Sequence, residues 1–299
     1  MYLIEQVTEQ SGNQLKDRVY LIDNGKIKFV NRDFAKWNQR RMNMSGLTLK
    51  GGLVVSEEQL LETTDSLTFF QRQEQLVNIG CTTAVVFAKL PYESRLEQVY
   101  KTSMKKMEFA SIDYVLGLEI SLQLLRPSVI LTCKRKQIPA LKVVIKDGDD
   151  PSTLAWLYIA QVQRNYRVVL MPHFVSKNEK ERAWQQMVWR NETEKYAIAE
   201  HLYITEEKEW SKCALQKIGL YPEKGILMVG SDLDYFLYES KENQLVEDIE
   251  NLDYHYKKPS IVVLRGQLLK INEQFLSRPG YGRAIYIKMP GRLLALGSS

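Results

Sequence analysis

The chain has 299 residues, 44% of them hydrophobic and 26% charged, with a formal net charge of +5, which suffices for a large core and two modules. No apolar run reaches the ~18 residues of a membrane-spanning helix, and the start, MYLIEQVTEQSGNQ, lacks the basic first segment and apolar core of a signal peptide. Cys81, Cys133 and Cys213 stand too far apart for a zinc pair or a disulfide framework, so a reduced, cytoplasmic setting is expected.

In chain order, Arg18 to Ile22 and Lys26 to Val30 flank the tight-turn signal Asp23-Asn24-Gly25 and predict a hairpin. Gly46 to Val55 predicts a further strand leading toward the middle of the protein. Ser56-Glu57-Glu58 has the chemistry of a helix start, with Ser56 as cap and acidic residues in the first turn. Four runs that are apolar on both faces follow: Thr82 to Ala88, Ile112 to Ile120, Ala140 to Lys146 and Arg167 to Val175. Such runs are expected of a parallel sheet. Between them lie helical stretches: Leu67 to Ile79, stopped by Gly80; Leu96 to Phe109; and a stretch opening at Asp150-Pro151-Ser152 and running to about Asn165. Alternating strands and helices mean βα units. The polar stretch Asn178 to Leu215 reads as one or two helices. Strands and turns then return, at Ile226 to Val229, Tyr235 to Tyr238, Ile261 to Leu264, Leu268 to Ile271 and Ala284 to Lys288. Strand-rich ends around a βα centre imply that the two termini share one domain.

Three places resemble the cyclic amidohydrolases, the family of dihydroorotase, hydantoinase and allantoinase. Val19-Tyr20-Leu21-Ile22-Asp23-Asn24-Gly25-Lys26-Ile27 is similar to their opening strand pair. Ile79-Gly80-Cys81-Thr82-Thr83-Ala84-Val85-Val86 is similar to their entry into the second barrel strand. The most specific match runs from Ile218-Gly219-Leu220-Tyr221-Pro222-Glu223-Lys224-Gly225 to Val229-Gly230-Ser231-Asp232-Leu233-Asp234, which resembles x-G-L-x-P-x-K-G-x-I-x-V-G-x-D-A-D. There Asp232 and Asp234 read as turn residues. The resemblance implies an α/β protein: an incomplete TIM-type (β/α) barrel over residues 53–218, with a composite β-sandwich domain from residues 1–52 plus 219–299. A full barrel takes about 200 to 250 residues, and the span between these motifs is too short for eight units. An open parallel sheet has unpaired edges, so the helical stretch 178–215, a second copy of the chain or a protein partner is expected to cover them.

The family's first metal-binding motif, P-G-x-I-D-x-H-x-H, falls on Gly51 to Gln59. Here Val55 stands for the Asp, and Glu57 and Gln59 stand for the two histidines. By the same resemblance, the bridging lysine at the end of strand four corresponds to Lys146 and the strand-five histidine to His173. His201 lies in helix-like surroundings, His255 reads as a surface residue, and the strand-eight aspartate has no counterpart. With three histidines in all, a two-metal centre built on four imidazoles is excluded. The expected function is therefore a non-catalytic binding or scaffold protein without a cofactor. The alternative is a divergent hydrolase of cyclic C–N bonds, with Lys146 and His173 as catalytic candidates and one zinc or manganese ion held by Glu57, Lys146 and His173. Lys257, Lys258, Arg265, Arg278, Arg283, Lys288 and Arg292 thicken the positive charge near the end of the sequence. Polyanion binding there is a third reading, although dispersed acidic residues argue against a nucleic-acid surface; no membrane contact is expected.

Overall fold

The computed structural model describes residues 1–11, 14–34, 38, 40–205, 208–239 and 258–291; His255, Lys257 and Arg292 fall outside them. Two sheets organise the chain. The first is one continuous nine-stranded sheet. Its N-terminal strands are β1 (Tyr2–Ser11), β2 (Gln14–Asp23), β3 (Lys26–Asn31), β4 (Arg41–Asn43) and β5 (Leu47–Gly51). Its C-terminal strands are β11 (Tyr235–Glu239), β12 (Ile261–Leu264), β13 (Gln267–Ile271) and β14 (Gln274–Phe275). The two sets join where β11 pairs antiparallel with β5, Phe236 opposite Lys50. The expected hairpin is β2–β3, and Asn24 and Gly25 both have positive φ, as its tight turn requires.

The second sheet is parallel and five-stranded, in the spatial order β10-β9-β8-β7-β6: β6 (Leu53–Glu57), β7 (Cys81–Lys89), β8 (Asp113–Ser121), β9 (Ala140–Ile145) and β10 (Val169–Phe174). It is the incomplete barrel. Helices α2 (Ser66–Asn78), α3 (Leu96–Met107), α4 (Pro127–Lys136), α5 (Trp156–Gln163) and α6 (Glu179–Lys195) cover its outer face, burying Phe69, Leu76, Met107, Ile130, Ile159 and Trp189 in the largest core. Asp65 caps α2 by accepting from the Thr68 amide.

Several sequence expectations change. Gly46 to Val55 is two strands, not one: the chain leaves the first sheet at Gly51 and enters the second at Leu53. A Cβ on the intervening Gly52 would stand 2.3 Å from Thr82 Oγ1, so a side chain has no room there. Ser56 and Glu57 belong to β6, and the short α1 (Gln59–Glu62) starts after Glu58. The stretch from Asp150 splits into a 3-10 turn, Pro151–Thr153, and α5, because Leu154 between them is extended. Helix α4, with Pro127 at its start, was not anticipated. Ile226 to Val229 is irregular, and Ala284 makes only a single bridge to Tyr114.

The edges of the parallel sheet are covered from within the chain. Past α6, residues 199–203 run alongside β10: the Leu170 amide donates to the Ala199 carbonyl at 2.9 Å and the His201 amide to the Leu170 carbonyl at 3.0 Å. His201 thus lies on extended chain and not in a helix. The same segment then reaches the opposite edge, where the Trp210 amide donates to the Val54 carbonyl at 2.9 Å. The concave face is filled by Trp210, by Ala214, Leu215 and Ile218 of α7 (Lys212–Ile218), and by Ile285 and Ile287. Residues 278–291 pass beneath the N-terminal ends of the strands, with the Gly282 amide on the Ala110 carbonyl at 2.8 Å. Among the described residues no helix is long and apolar enough to cross a membrane.

Candidate functional site

Successive residues of a strand face opposite ways. Ala84, Val86, Leu118, Leu141 and Leu170 enter the helix-covered core, whereas Val85, Phe87, Val115, Val169 and Met171 line the concave side. Continued toward the C-terminal strand ends, the concave register brings up Glu119 on β8, Lys142 on β9 and His173 on β10, with Glu58 just beyond β6. Glu119 and Lys142 are direct cross-strand neighbours.

These side chains meet. The Lys142 ammonium, its side chain 5% exposed, lies between two carboxylates: it pairs with Glu119 at 2.8 Å and with Glu58. The Tyr203 hydroxyl also donates to Glu58. The Tyr203 ring lies beneath the ammonium, 4.4 Å from ring centre to Nζ, and packs on the His173 ring at 4.8 Å between centroids. Burial by itself would raise the Glu58 carboxyl, but the hydrogen bonds from Lys142 and Tyr203, with the lysine charge, hold it below the usual range. Burial first, and then the Lys142 charge, push His173 down, which favours a neutral imidazole at pH 7. Its Nδ1 is buried without a hydrogen-bond partner.

The three residues singled out from sequence do not converge. Glu57 faces the other side of the sheet, fully buried, where Arg72 of α2 grips it through Nε and Nη2 at 3.0 and 2.8 Å while it accepts from the Leu60 amide at 3.0 Å. It braces a helix against the sheet. Lys146 lies past the end of β9, exposed, about 13 Å along the chain from Lys142 at ~3.3 Å per residue. Of the three, His173 alone joins the cluster. The interior lysine of the fourth strand is Lys142. Its apolar neighbours on both sides hid it, although strict alternation from Leu141 and Val143 marks it as facing the opposite way. Glu58 and Tyr203 gave no signal of their own. His201 is turned aside, its Nδ1 2.7 Å from the Leu202 carbonyl.

A second polar cluster sits at the opposite end of the sheet. Lys224, from the Pro-Lys-Gly motif, is fully buried and pairs with Asp113 of β8, Asp232 and Asp234 at 2.5, 2.8 and 2.7 Å. Arg265 and Arg283 also reach Asp113, and Lys26 reaches Asp232 at 3.2 Å, so the three aspartates face four cations. Among the described residues, Asp113, Asp232 and Asp234 are the one group of acids, cysteines or histidines close enough to share an ion, and Lys224 fills it. Burial would strip Lys224 of its proton, yet the three aspartates raise it above its ordinary value. Asp232 and Asp234 thus do more than close a turn. Arg265, expected on a basic surface, is largely covered, whereas Arg283 keeps its side chain 42% exposed while reaching the cluster.

No family model matches the chain, and no curated relative does. Solved structures do match. D-hydantoinase from Bacillus sp. AR9 aligns with a TM-score of 0.71 and 12% identity over 97% of this chain and 99% of that one. Dihydropyrimidinase from Brevibacillus agri gives 0.63 and 16%, over the same shares. The chain has the hydantoinase fold. An atrazine chlorohydrolase mutant from Arthrobacter aurescens, solved with zinc and atraton, is a more distant match at 0.52 and 12%, over 93% of this chain and 97% of that one. At these identities the likeness fixes the fold and nothing finer.

The metal that this fold implies has to be tested on the residues present. Glu58 and Glu119 offer oxygen donors and His173 a nitrogen, donor types that zinc or manganese accepts, but the three are not among the described groups close enough to share an ion. With the Lys142 ammonium between the carboxylates, the set does not fit a metal ion.

Proposed function

We propose that this protein is a non-catalytic member of the hydantoinase-fold group that acts as a binding or scaffold protein. The observation that carries this reading is Lys142. A lysine that bridges metal ions as a carbamate must first be a free amine, and this one is an ammonium paired with Glu58 and Glu119. The concave face around it is packed with Trp210, Leu215 and Ile218. A hydrolytic water would need a cation to lower its pKa, and here the cation is part of the chain.

Metal analysis of the purified protein is expected to find far less than one equivalent of zinc or manganese, and incubation with hydantoin or dihydrouracil is expected to give no ring opening. Stoichiometric metal together with turnover that vanishes in His173→Ala would replace this reading with a single-metal hydrolase of cyclic C–N bonds. His173, held below its usual range by burial and with its Nδ1 buried without a hydrogen-bond partner, is the feature that favours that second reading. Binding of a second copy or a protein partner is not required by the strand edges, which residues 199–203 and 209–210 cover.

A further inference from the structure

We propose that the cleft between the C-terminal ends of α5 and α6 binds a small organic phosphate, an anion joined to a flat apolar group as in a nucleoside monophosphate. The cleft lies at the N-terminal side of the parallel sheet, just ahead of β10. That is the end away from the Lys142 cluster, so the inference stands whatever that cluster does.

Two helix ends build the cleft. Arg164 and Arg167, on the chain leaving α5, line it together with Lys195 and Tyr196 at the end of α6, around a volume of about 370 Å³. Clefts of this size take small organic ligands. The floor is fixed in advance by Gln163, which is 3% exposed. Its Nε2 donates to the Val168 carbonyl at 2.9 Å and its Oε1 accepts from the Ala199 amide at 3.2 Å. One side chain thus ties α5 to the start of β10 and to the segment after α6, which spares a ligand the cost of ordering the site.

The lining divides by chemistry. Leu157, Ala160 and Ile198 give apolar surface, and Tyr196 an aromatic ring with the Lys195 ammonium 5.0 Å from its centre. Arg164, Arg167 and Lys195 bring three positive charges, and among the described residues no Asp or Glu lines the cleft. Glu194, next to Lys195 in the chain, is engaged with Arg190 at 2.7 Å. Basic residues gather at helix C-termini because of the helix dipole, yet the last carbonyls here are already taken. Those of Glu192, Thr193 and Glu194 accept from the Tyr196, Ile198 and Ala197 amides, and that of Gln161 from the Arg164 amide. Arg72, Lys142 and Lys224 are neutralised inside the fold. The three cations of the cleft form no ion pair among the described residues. A phosphate dianion answers that excess, since guanidinium forks take phosphate oxygens in pairs and an ammonium adds a point charge. The Tyr196 ring and the apolar side then favour a phosphate that carries a flat group over the bare ion.

Calorimetry on the full-length protein at low ionic strength, with AMP, inorganic phosphate and adenosine as probes, tests this. AMP is expected to bind one equivalent, at least roughly tenfold more tightly than phosphate or adenosine, and to weaken as sodium chloride is added. Arg164→Gln and Lys195→Gln alter exposed side chains and should each weaken AMP by at least roughly tenfold, the usual cost of a lost charged hydrogen bond, at an unchanged melting temperature. Lys134→Gln, which removes an exposed charge at the end of α4, should leave the affinity unchanged. A wild type that binds no AMP at millimolar concentration overturns the proposal, as does an affinity that Arg164→Gln and Lys195→Gln leave intact. Inorganic phosphate or adenosine binding as tightly as AMP also overturns it. Equal weakening by Lys134→Gln would reduce the site to diffuse surface charge and sink it too.

Discussion

Glu58 shows how one residue links charge to stability in this molecule. Its carboxyl is held below the ordinary range because Lys142 and Tyr203 bond its ionised form more strongly than burial opposes it. A depressed folded pKa means that the unfolded chain binds the proton more readily. The resulting stabilisation is complete above the unfolded value of about 4.3 and is lost as pH falls through the lower folded value. Glu58→Gln removes that proton-binding difference. Urea midpoints measured from pH 7 down to pH 3 should therefore fall less steeply for Glu58→Gln than for the wild type, with the curves converging at the acid end. Parallel curves would mean that Glu58 makes no net ionic contribution. This residue also marks the limit of sequence reading at the site. β7 to β10 were legible as strands of a parallel sheet because their apolar runs are long. Which carboxylate of the Glu57-Glu58 pair faces inward depends on where β6 stops, and a one-residue slip exchanges the faces. Glu57, assigned to the metal position, turned out to brace α2 through Arg72.

At the level of elements, residues 199–205 and 208–210 do what the missing strands of a full barrel would do. They lie along β10 at one end and bridge to Val55 of β6 at the other. Sequence gave little hint of this, since Ala199 to Glu209 has neither a two-residue nor a 3.6-residue apolar period, and its extended form is imposed by the open backbone groups on either side. Helix α4 was missed for a related reason: its buried stripe is only Val129, Ile130 and Cys133. Trp210 fixes the closing segment. Its indole is 3% exposed and donates to Ser56 Oγ at 3.0 Å, and it packs with Val54 and Leu215 in the concave core. Trp210→Ala should cost about 3–5 kcal/mol in equilibrium unfolding, the usual result of emptying a large aromatic site. It should also free the β6 edge, so light scattering is expected to show concentration-dependent association that the wild type lacks. A loss below about 1 kcal/mol with a monodisperse sample would show that the segment is held elsewhere.

Across the whole molecule, the Lys224 cluster ties three parts of the sequence together. Asp113 comes from the parallel sheet, Asp232, Asp234 and Lys224 from the motif that leads back to the nine-stranded sheet, and Arg265 and Arg283 from the C-terminal strands and the chain beneath the barrel. Each charge is matched, so the cluster is tolerable only when all three parts are docked. Burial outweighs the lysine at Asp234 and raises its carboxyl, while at Asp232 the charges of Lys224, Arg283 and Lys26 prevail over burial and lower it. The two aspartates thus shift in opposite directions. Removing the central cation breaks this balance. Lys224→Met leaves Asp234, which is buried and among the described residues has no other cationic side chain on it, with an uncompensated charge, and breaking a buried pair in this way costs about 3–5 kcal/mol. The loss should be felt by both sheets together. Urea unfolding followed by tryptophan fluorescence, which reports on all five tryptophans and among them Trp156, Trp189 and Trp210 in and around the parallel sheet, is expected to shift by the same amount as unfolding followed by far-ultraviolet circular dichroism, which reports on the whole chain. Adding Asp234→Asn to Lys224→Met removes the stranded charge and should recover part of the loss. Two separated transitions in the wild type would mean that the sheets fold independently and that the cluster does not couple them.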